Sequence, residues 1–292
     1  MRLYTDLMKG VILAGGEGTR LFPLTKYQTK HLLPVYDKPL INYPLATLMA
    51  AQIREILLIT KLRDMENLKS LLGNGEDFGI SISYKVQESA NGIAEALLIA
   101  EDFLAGEKVA LILGDNIFYG IGLGGQLSKF HNVSGAQIFG YPVSNPEEYG
   151  VAILGNDGRI LHVEEKPKTK RSNLAIPGLY FYDENASTYC RKLKPSLRGE
   201  LEITDLNSLY LEMNQLNFEV LPRGTAWLDT GSFNSLHDAT TFVRVLEERQ
   251  GTKIACLEEV AWRNGWISRT QLMSLANSNP NIIWREYLMQ LQ

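Results

Sequence analysis

The chain has 292 residues, 45% hydrophobic and 21% charged, enough for one large domain or two small ones with an ample core. Its 29 Lys and Arg against 33 Asp and Glu leave a net charge of −4, which argues against a broad electrostatic grip on nucleic acid or an anionic membrane. No apolar run approaches the roughly 20 residues of a membrane span, and the first residues lack the apolar core of a secretory signal, so a cytoplasmic protein is expected. Met8-Lys9 reads as a possible natural start, with residues 1–7 as an extension.

The first element is a buried strand, Val11–Ala14, running into the glycine-rich bend Gly15-Gly16-Glu17-Gly18-Thr19-Arg20. A loop with little side-chain bulk lets backbone amides close around phosphate oxygens, and Arg20 adds a fixed positive charge. Lys30 offers a second cation ten residues on. The P-loop string is absent, and Gly16-Glu17-Gly18 lacks the third glycine of a dinucleotide fingerprint. The bend is therefore read as a triphosphate site, against the plainer reading of a tight turn beside a surface arginine.

A helical pattern over Ile41–Ala51 follows, then a strand Ile56–Ile59, a leucine-spaced helix Asp64–Leu72 and an alternating strand Ile80–Val86. Ile93–Phe103 reads as a helix, Val109–Leu113 as a fully buried strand, Leu123–His131 as a helix and Gln137–Val143 as a strand. Strands without alternation, separated by helices, imply a largely parallel sheet covered on both faces. Ligands of such sheets sit at the carboxyl ends of strands, where the glycine bend and Gly114-Asp115-Asn116 both fall.

The second half changes character. Gly150–Leu154 and Ile160–Val163 flank Asn156-Asp157-Gly158, a hairpin signal. Gly178–Tyr182 is a strand candidate, Asn185–Leu193 and Glu202–Asn214 are helical, and Phe218–Leu221 is a short strand. From Phe233 onward the chain reads as helices, broken at Arg263–Trp266 and Asn277–Pro280. Trp262 and Trp266 suit core packing.

Several residues carry candidate chemistry. Asp115, at a strand end opposite the phosphate loop, is either a ligand for a hard divalent cation or a turn residue. Asp229, in Ala226-Trp227-Leu228-Asp229-Thr230-Gly231, is either a second ligand or a helix cap. Glu165 and Lys166 either meet a sugar and its phosphate or pair with each other at a solvated strand end. Tyr149-Gly150 is a strand start or a close approach to ligand. Gln87 with Gly92 either reads a base edge or lies in a surface loop. Arg198 is a candidate phosphate ligand, and Thr204 and Asp205 are candidate caps. Cys190 and Cys256 have no metal-like spacing, and the four histidines form no short-range pair, so zinc is not expected.

The ordered motifs Gly15–Thr25, Lys30–Pro39, Leu113–Gly120, Glu164–Pro167, Gly178–Asp183, Arg198–Asp205 and Ala226–Gly231 together resemble the sugar nucleotidyltransferases, particularly the bacterial branch using thymidine nucleotides. The likeness runs from Met8 into the C-terminal helices. It implies an α/β fold: a Rossmann-like, mixed but mostly parallel sheet flanked by helices, with an inserted sugar-binding portion. The expected organisation is a core over 1–231, nucleotide-binding at about 8–143 and sugar-binding at about 144–231, then a helical region over 232–292. The implied reaction joins dTTP to glucose 1-phosphate with Mg2+, in a homotetramer and without nucleic acid or membrane.

By matching motif, Arg20, Lys30, Asp115, Lys166 and Asp229 would be catalytic, with Asp115 and Asp229 holding the metal. Leu13, Gly15, Gly16, Gln87 and Gly92 would join Arg20, Lys30 and Asp115 around the nucleotide. Asn116, Tyr149, Gly150, Glu165, Lys166, Ile176, Arg198 and Trp227 would line the sugar-phosphate site. Two positions depart from the pattern. His31 stands where it carries glutamine, and Pro177 where it carries threonine, and both bear on substrate choice.

Overall fold

The structure is a computed structural model that describes residues 8–292; the reading of residues 1–7 as an extension lies outside the described residues. Strand β1 (Lys9–Ala14) opens the chain, and the hairpin strands β2 (Pro34–Val35) and β3 (Lys38–Pro39) lead to helix α1 (Asn42–Ala50). β4 (Glu55–Thr60), α2 (Leu62–Leu72), β5 (Ser81–Val86), α3 (Glu95–Ile99), α4 (Glu101–Leu104) and β6 (Val109–Leu113) complete an alternating unit. β7 (Asn116–Tyr119), α5 (Leu123–Leu127), β8 (Ala136–Pro142), β9 (Gly150–Leu154), β10 (Ile160–Glu165), β11 (Leu174–Ala175) and β12 (Leu179–Tyr182) follow. The remainder is α6 (Ala186–Cys190), α7 (Ile203–Glu212), β13 (Leu216–Val220), β14 (Ala226–Asp229), α8 (Phe233–Gln250), α9 (Leu257–Arg263), α10 (Arg269–Ser278) and α11 (Ile282–Gln290).

A ten-stranded mixed sheet runs β10-β9-β11-β8-β12-β6-β1-β4-β5, with β13 parallel to β8 off this path. The segment β6-β1-β4-β5 is parallel, so the carboxyl ends of β1 and β6 open side by side. Strand β12 pairs antiparallel with β6 and carries the sheet into the antiparallel extension of β11, β9 and β10.

Successive residues of β1 face opposite sides of the sheet. Val11 therefore packs in one core with Leu57, Leu111 and helices α3, α6 and α7, while Ile12 packs in another with Leu58, Ile112 and α1. Both faces are covered by helices, which is why the central strands are apolar throughout and show no alternation. A third core joins Leu21, Val35, Leu40 and Tyr43 to Leu236 and Val243 of α8. Beside it Glu247 accepts from Lys38 and Lys253, at 2.8 Å each, tying the β2–β3 hairpin to the helical region.

Several elements differ from the sequence expectation. The helix expected over Ile93–Phe103 is two short helices with Ala100 between them, and the one over Leu123–His131 ends as a 3-10 turn from Ser128. Continuous helix after Phe233 is interrupted at Gly251, whose φ of 63° ends α8 and which donates back to the Glu247 carbonyl. Strands β7 and β14 are additions to the expected set, and they pair antiparallel with Asp229 opposite Asn116. Among the described residues no helix is long and apolar enough to cross a membrane.

Candidate active site

A cleft of about 790 Å³ opens at the carboxyl end of β6, and a smaller chamber of about 210 Å³ adjoins it. Arg20, Asp115, Asn116, Tyr149, Gly150, Glu165, Lys166, Ile176, Trp227 and Asp229 line the cleft. Leu13, Gly16, Gln87, Gly92 and Arg198 line the chamber, which shares Glu165 and Lys166 with it. The expected sugar-phosphate residues thus meet in one space, apart from Arg198, and the expected base-reading residues meet next door.

The β7–β14 ladder brings the two aspartates together. Thr230 reinforces it, donating its hydroxyl to the Asp115 carbonyl at 2.9 Å. Asp229 ends β14 and accepts from the Gly231 amide at 2.9 Å. It is not a helix cap: Ser232 caps α8 in a reciprocal capping box with Ser235.

The two carboxylates have different surroundings. Burial alone would raise the Asp115 carboxyl, but the Lys30 ammonium bonded to it, with help from the Asn116 amide, brings it down to about 2. Asp229 goes the other way: burial and the neighbouring Asp115 charge raise it, against Lys30 and Arg20. Lys30 is bonded to Asp115, while Asp229 takes only the Gly231 amide among the described residues and feels Lys30 and Arg20 through space. Among the described residues no three His, Cys, Asp or Glu side chains form a metal cage. Hard oxygen donors from two aspartates, with positions left for phosphate oxygens and water, fit a divalent ion of the magnesium type.

Close packing sets the cations and the glycine bend. A Cβ built on Gly231 would stand 2.5 Å from Arg20 Nη2, so the missing side chain is what lets the guanidinium lie beside Asp229. Lys30 passes over Gly16, its Nζ 3.7 Å from the place a Cβ would take. Gln87 fills the space over Gly15, where a Cβ would stand 2.0 Å from Oε1.

The side of the cleft expected to take the sugar is built on hydrogen bonds. Asn116 Oδ1 accepts from the Gly178 amide at 3.1 Å and from the Trp227 indole at 2.6 Å, while its amide donates to Asp115 Oδ1 at 3.0 Å. Asn116, only 4% exposed, is thereby committed to orienting Asp115. Trp227 stands edge-on to Tyr149, with ring centres 5.0 Å apart. Burial and then the Asp229 charge raise the Tyr149 phenol. Gly150 leaves room for Glu165, which accepts from Thr204 at 2.7 Å. Thr204 is thus spent on the site; Glu202 occupies the cap position of α7, without a side-chain cap bond. Lys166 holds a left-handed φ of 43° and its amide donates to the Tyr149 carbonyl. A non-glycine residue held there at a cleft is strain of the kind found at functional sites.

Arg198 and His31 are placed differently from expectation. Arg198 is engaged by Glu202 through bonds of 2.8–3.1 Å, with Glu165 and Glu200 within 3.5 Å. His31 does not face the cleft; it is buried beneath Gly114 and bonded through Nδ1 to Thr29 at 2.7 Å. Burial, then Lys30, holds it neutral with a pKa of about 3. Sequence reasoning missed Tyr180, Gly178 and Asn207 as lining residues. Gly178 and Tyr180 fall in the Gly178–Asp183 motif, whose apolar run reads as a core strand, and Asn207 lies on α7, so the fold is what brings all three to the cleft.

A glycine-rich bend at the carboxyl end of a parallel sheet, neighbouring aspartates and converging cations are the arrangement of an enzyme of nucleotidyl transfer. The nucleotidyl transferase family model matches residues 9–245, and the chain belongs to that family. The glucose-1-phosphate thymidylyltransferase of Mycolicibacterium smegmatis is 54% identical over 97% of this chain and 99% of its own. Its counterpart in Neisseria meningitidis is 51% identical over 97% of this chain and 99% of its own. A Bacillus anthracis protein assigned to that activity, solved with sucrose, superposes with a TM-score of 0.76 at 42% identity, covering 81% of this chain and 95% of its own.

Proposed function

We propose that the protein transfers the thymidylyl group of dTTP to glucose 1-phosphate, giving dTDP-glucose and pyrophosphate. The observation that carries this reading is the adjacency of Asp115 and Asp229 at the end of the β7–β14 ladder, where Asp229 lies opposite Asn116, with Lys30 and Arg20 beside them next to the glycine bend. The named relatives point to the thymine nucleotide and the glucose ester.

An oxygen of the sugar phosphate attacks the α-phosphorus. The bond from that phosphorus to the bridging oxygen breaks, and pyrophosphate leaves on the opposite side with the electron pair. Both reactants are anions, so the barrier lies mostly in repulsion and misalignment. Lys30 and Arg20 neutralise the triphosphate, and Lys166 and Arg198 the sugar phosphate. Arg198 must leave Glu202 to do so. Glu165, held by Thr204, accepts sugar hydroxyls beside Tyr149 and Gly150. The attacking phosphate is already ionised, so no general base is needed. Asp115 and Asp229 would hold Mg2+, which when bound lowers the charge of the phosphates.

Leu13, Gly15, Gly16, Gln87 and Gly92 surround the nucleotide, and Asn116, Ile176 and Trp227 shape the sugar side. The reading divides the core into a nucleotide portion at about 8–143 and a sugar portion at about 144–231, in a cytoplasmic homotetramer. A pyrophosphate-release assay over four nucleoside triphosphates and several sugar 1-phosphates tests it. The expected preference is dTTP with glucose 1-phosphate; release with neither would overturn the reading.

A further inference from the structure

The smaller chamber carries a device the reaction itself does not require. Gln87 begins the loop after β5 and is 3% exposed, its amide wedged over Gly15. Its Nε2 donates to Glu95 Oε2 at 2.8 Å. The other oxygen of Glu95 is taken by Asn91 Nδ2 at 2.7 Å. The loop carrying Asn91 is fixed in turn: the Leu201 amide donates to the Asn91 carbonyl at 2.6 Å, and the Ala94 amide to the Leu201 carbonyl at 3.1 Å.

An amide can face either way, and its two ends are alike in shape. A carboxylate only accepts, so Glu95 requires the NH2 end of Gln87 and leaves the carbonyl end over Gly15, in the wall of the chamber that Gln87 lines. We propose that Glu95 is a positioning residue that sets base selectivity by fixing the Gln87 amide with its acceptor toward the base. A pyrimidine with a ring N–H, thymine or uracil, matches that acceptor. Cytosine offers a ring nitrogen lone pair there and is rejected, because two acceptors would face each other. The inference rests on the proposed thymidylyl transfer with Gln87 at the base, and extends it to a residue that touches no substrate.

Glu95→Gln tests it. The new amide has one acceptor and one donor end, while Asn91 and Gln87 both present donors, so one of them must turn over. The ratio of kcat/KM for dTTP over dCTP should fall by at least about tenfold, chiefly through a higher KM for dTTP. The ratio for dTTP over dUTP should not move, since both bases carry the same N–H. Adding Asn91→Asp to this variant makes position 91 accept only. That forces the donor end of the new amide toward position 91 and its acceptor end back toward Gln87, so selectivity should return to within about threefold of wild type. Glu95→Ala, a second way to release Gln87, should lose selectivity and gain nothing from Asn91→Asp. A wild-type enzyme that uses dCTP as well as dTTP, an unchanged ratio in either folded Glu95 variant, or no recovery in the double variant would overturn the role of Glu95. Absence of dTDP-glucose synthesis by the wild type would instead remove the reading beneath it.

Discussion

Gly231→Ala separates positioning of the cation from stability of the fold. Gly231 has no left-handed backbone, so alanine brings no conformational strain. Its Cβ would lie 2.5 Å from Arg20 Nη2, 3.1 Å from Arg20 Cζ and 3.1 Å from Asp229 Oδ1. The one contact under 3.0 Å is with the end of the flexible, exposed Arg20 side chain, which can swing away, so the cost to folding should stay below about 1 kcal/mol. The swing removes a charge-assisted bond to a phosphate oxygen, worth about 1.5–3 kcal/mol. At about 1.4 kcal/mol per decade, kcat/KM for dTTP should drop by roughly 10- to 150-fold. Steady-state pyrophosphate release and a thermal melt on the same preparation provide the assay. Arg20→Ala should cause a similar loss, and the double variant should be little worse than either alone. Wild-type kcat/KM in folded Gly231→Ala would refute the reasoning.

Further predictions follow from single contacts. Below about pH 6.5 the unfolded chain protonates His31, while the buried imidazole refuses the proton down to about pH 3, so wild-type stability should fall as pH drops, by about 1.4 kcal/mol per unit from this residue. His31→Gln should flatten that slope in urea denaturation between pH 7 and 5; parallel wild-type and variant curves would count against it. Arg198→Ala should raise KM for the sugar phosphate by about tenfold and leave KM for dTTP nearly unchanged, measured by varying each substrate in turn. Trp227→Phe removes the 2.6 Å bond to Asn116 and should cost about 1 kcal/mol of stability, with a several-fold loss of kcat, because Asn116 then orients Asp115 less well.

How much of this is readable in the sequence depends on the range of the forces involved. Val11–Ala14 and Val109–Leu113 announce themselves because burial on both faces demands unbroken apolar runs. The Asn156-Asp157-Gly158 hairpin is legible because turn chemistry is local. Strands β7 and β14 are not: each has only four residues, and they are stabilised by pairing across more than a hundred positions. That pairing is what sets Asp229 beside Asp115, so residue type can suggest both as ligands but not their adjacency. Thr204 reads as a cap because Thr-Asp at a helix start usually is one; its bond to Glu165 depends on β10 lying alongside α7. Glu95 gives no signal in a helical stretch, since its meaning comes from the amides on either side of it. His31 reads as a contact residue because it follows Lys30, yet the 3-10 turn sends adjacent side chains in different directions.

The central claim is that Asp115 and Asp229 together grip a divalent ion that meets the phosphates of both substrates. Crystals grown with Mn2+ and a non-hydrolysable dTTP analogue would locate the ion directly by its anomalous signal. The account predicts a peak roughly 2.1–2.3 Å from a carboxylate oxygen of each aspartate and from an α-phosphate oxygen. A peak bound by phosphates alone, or by neither aspartate, would contradict it.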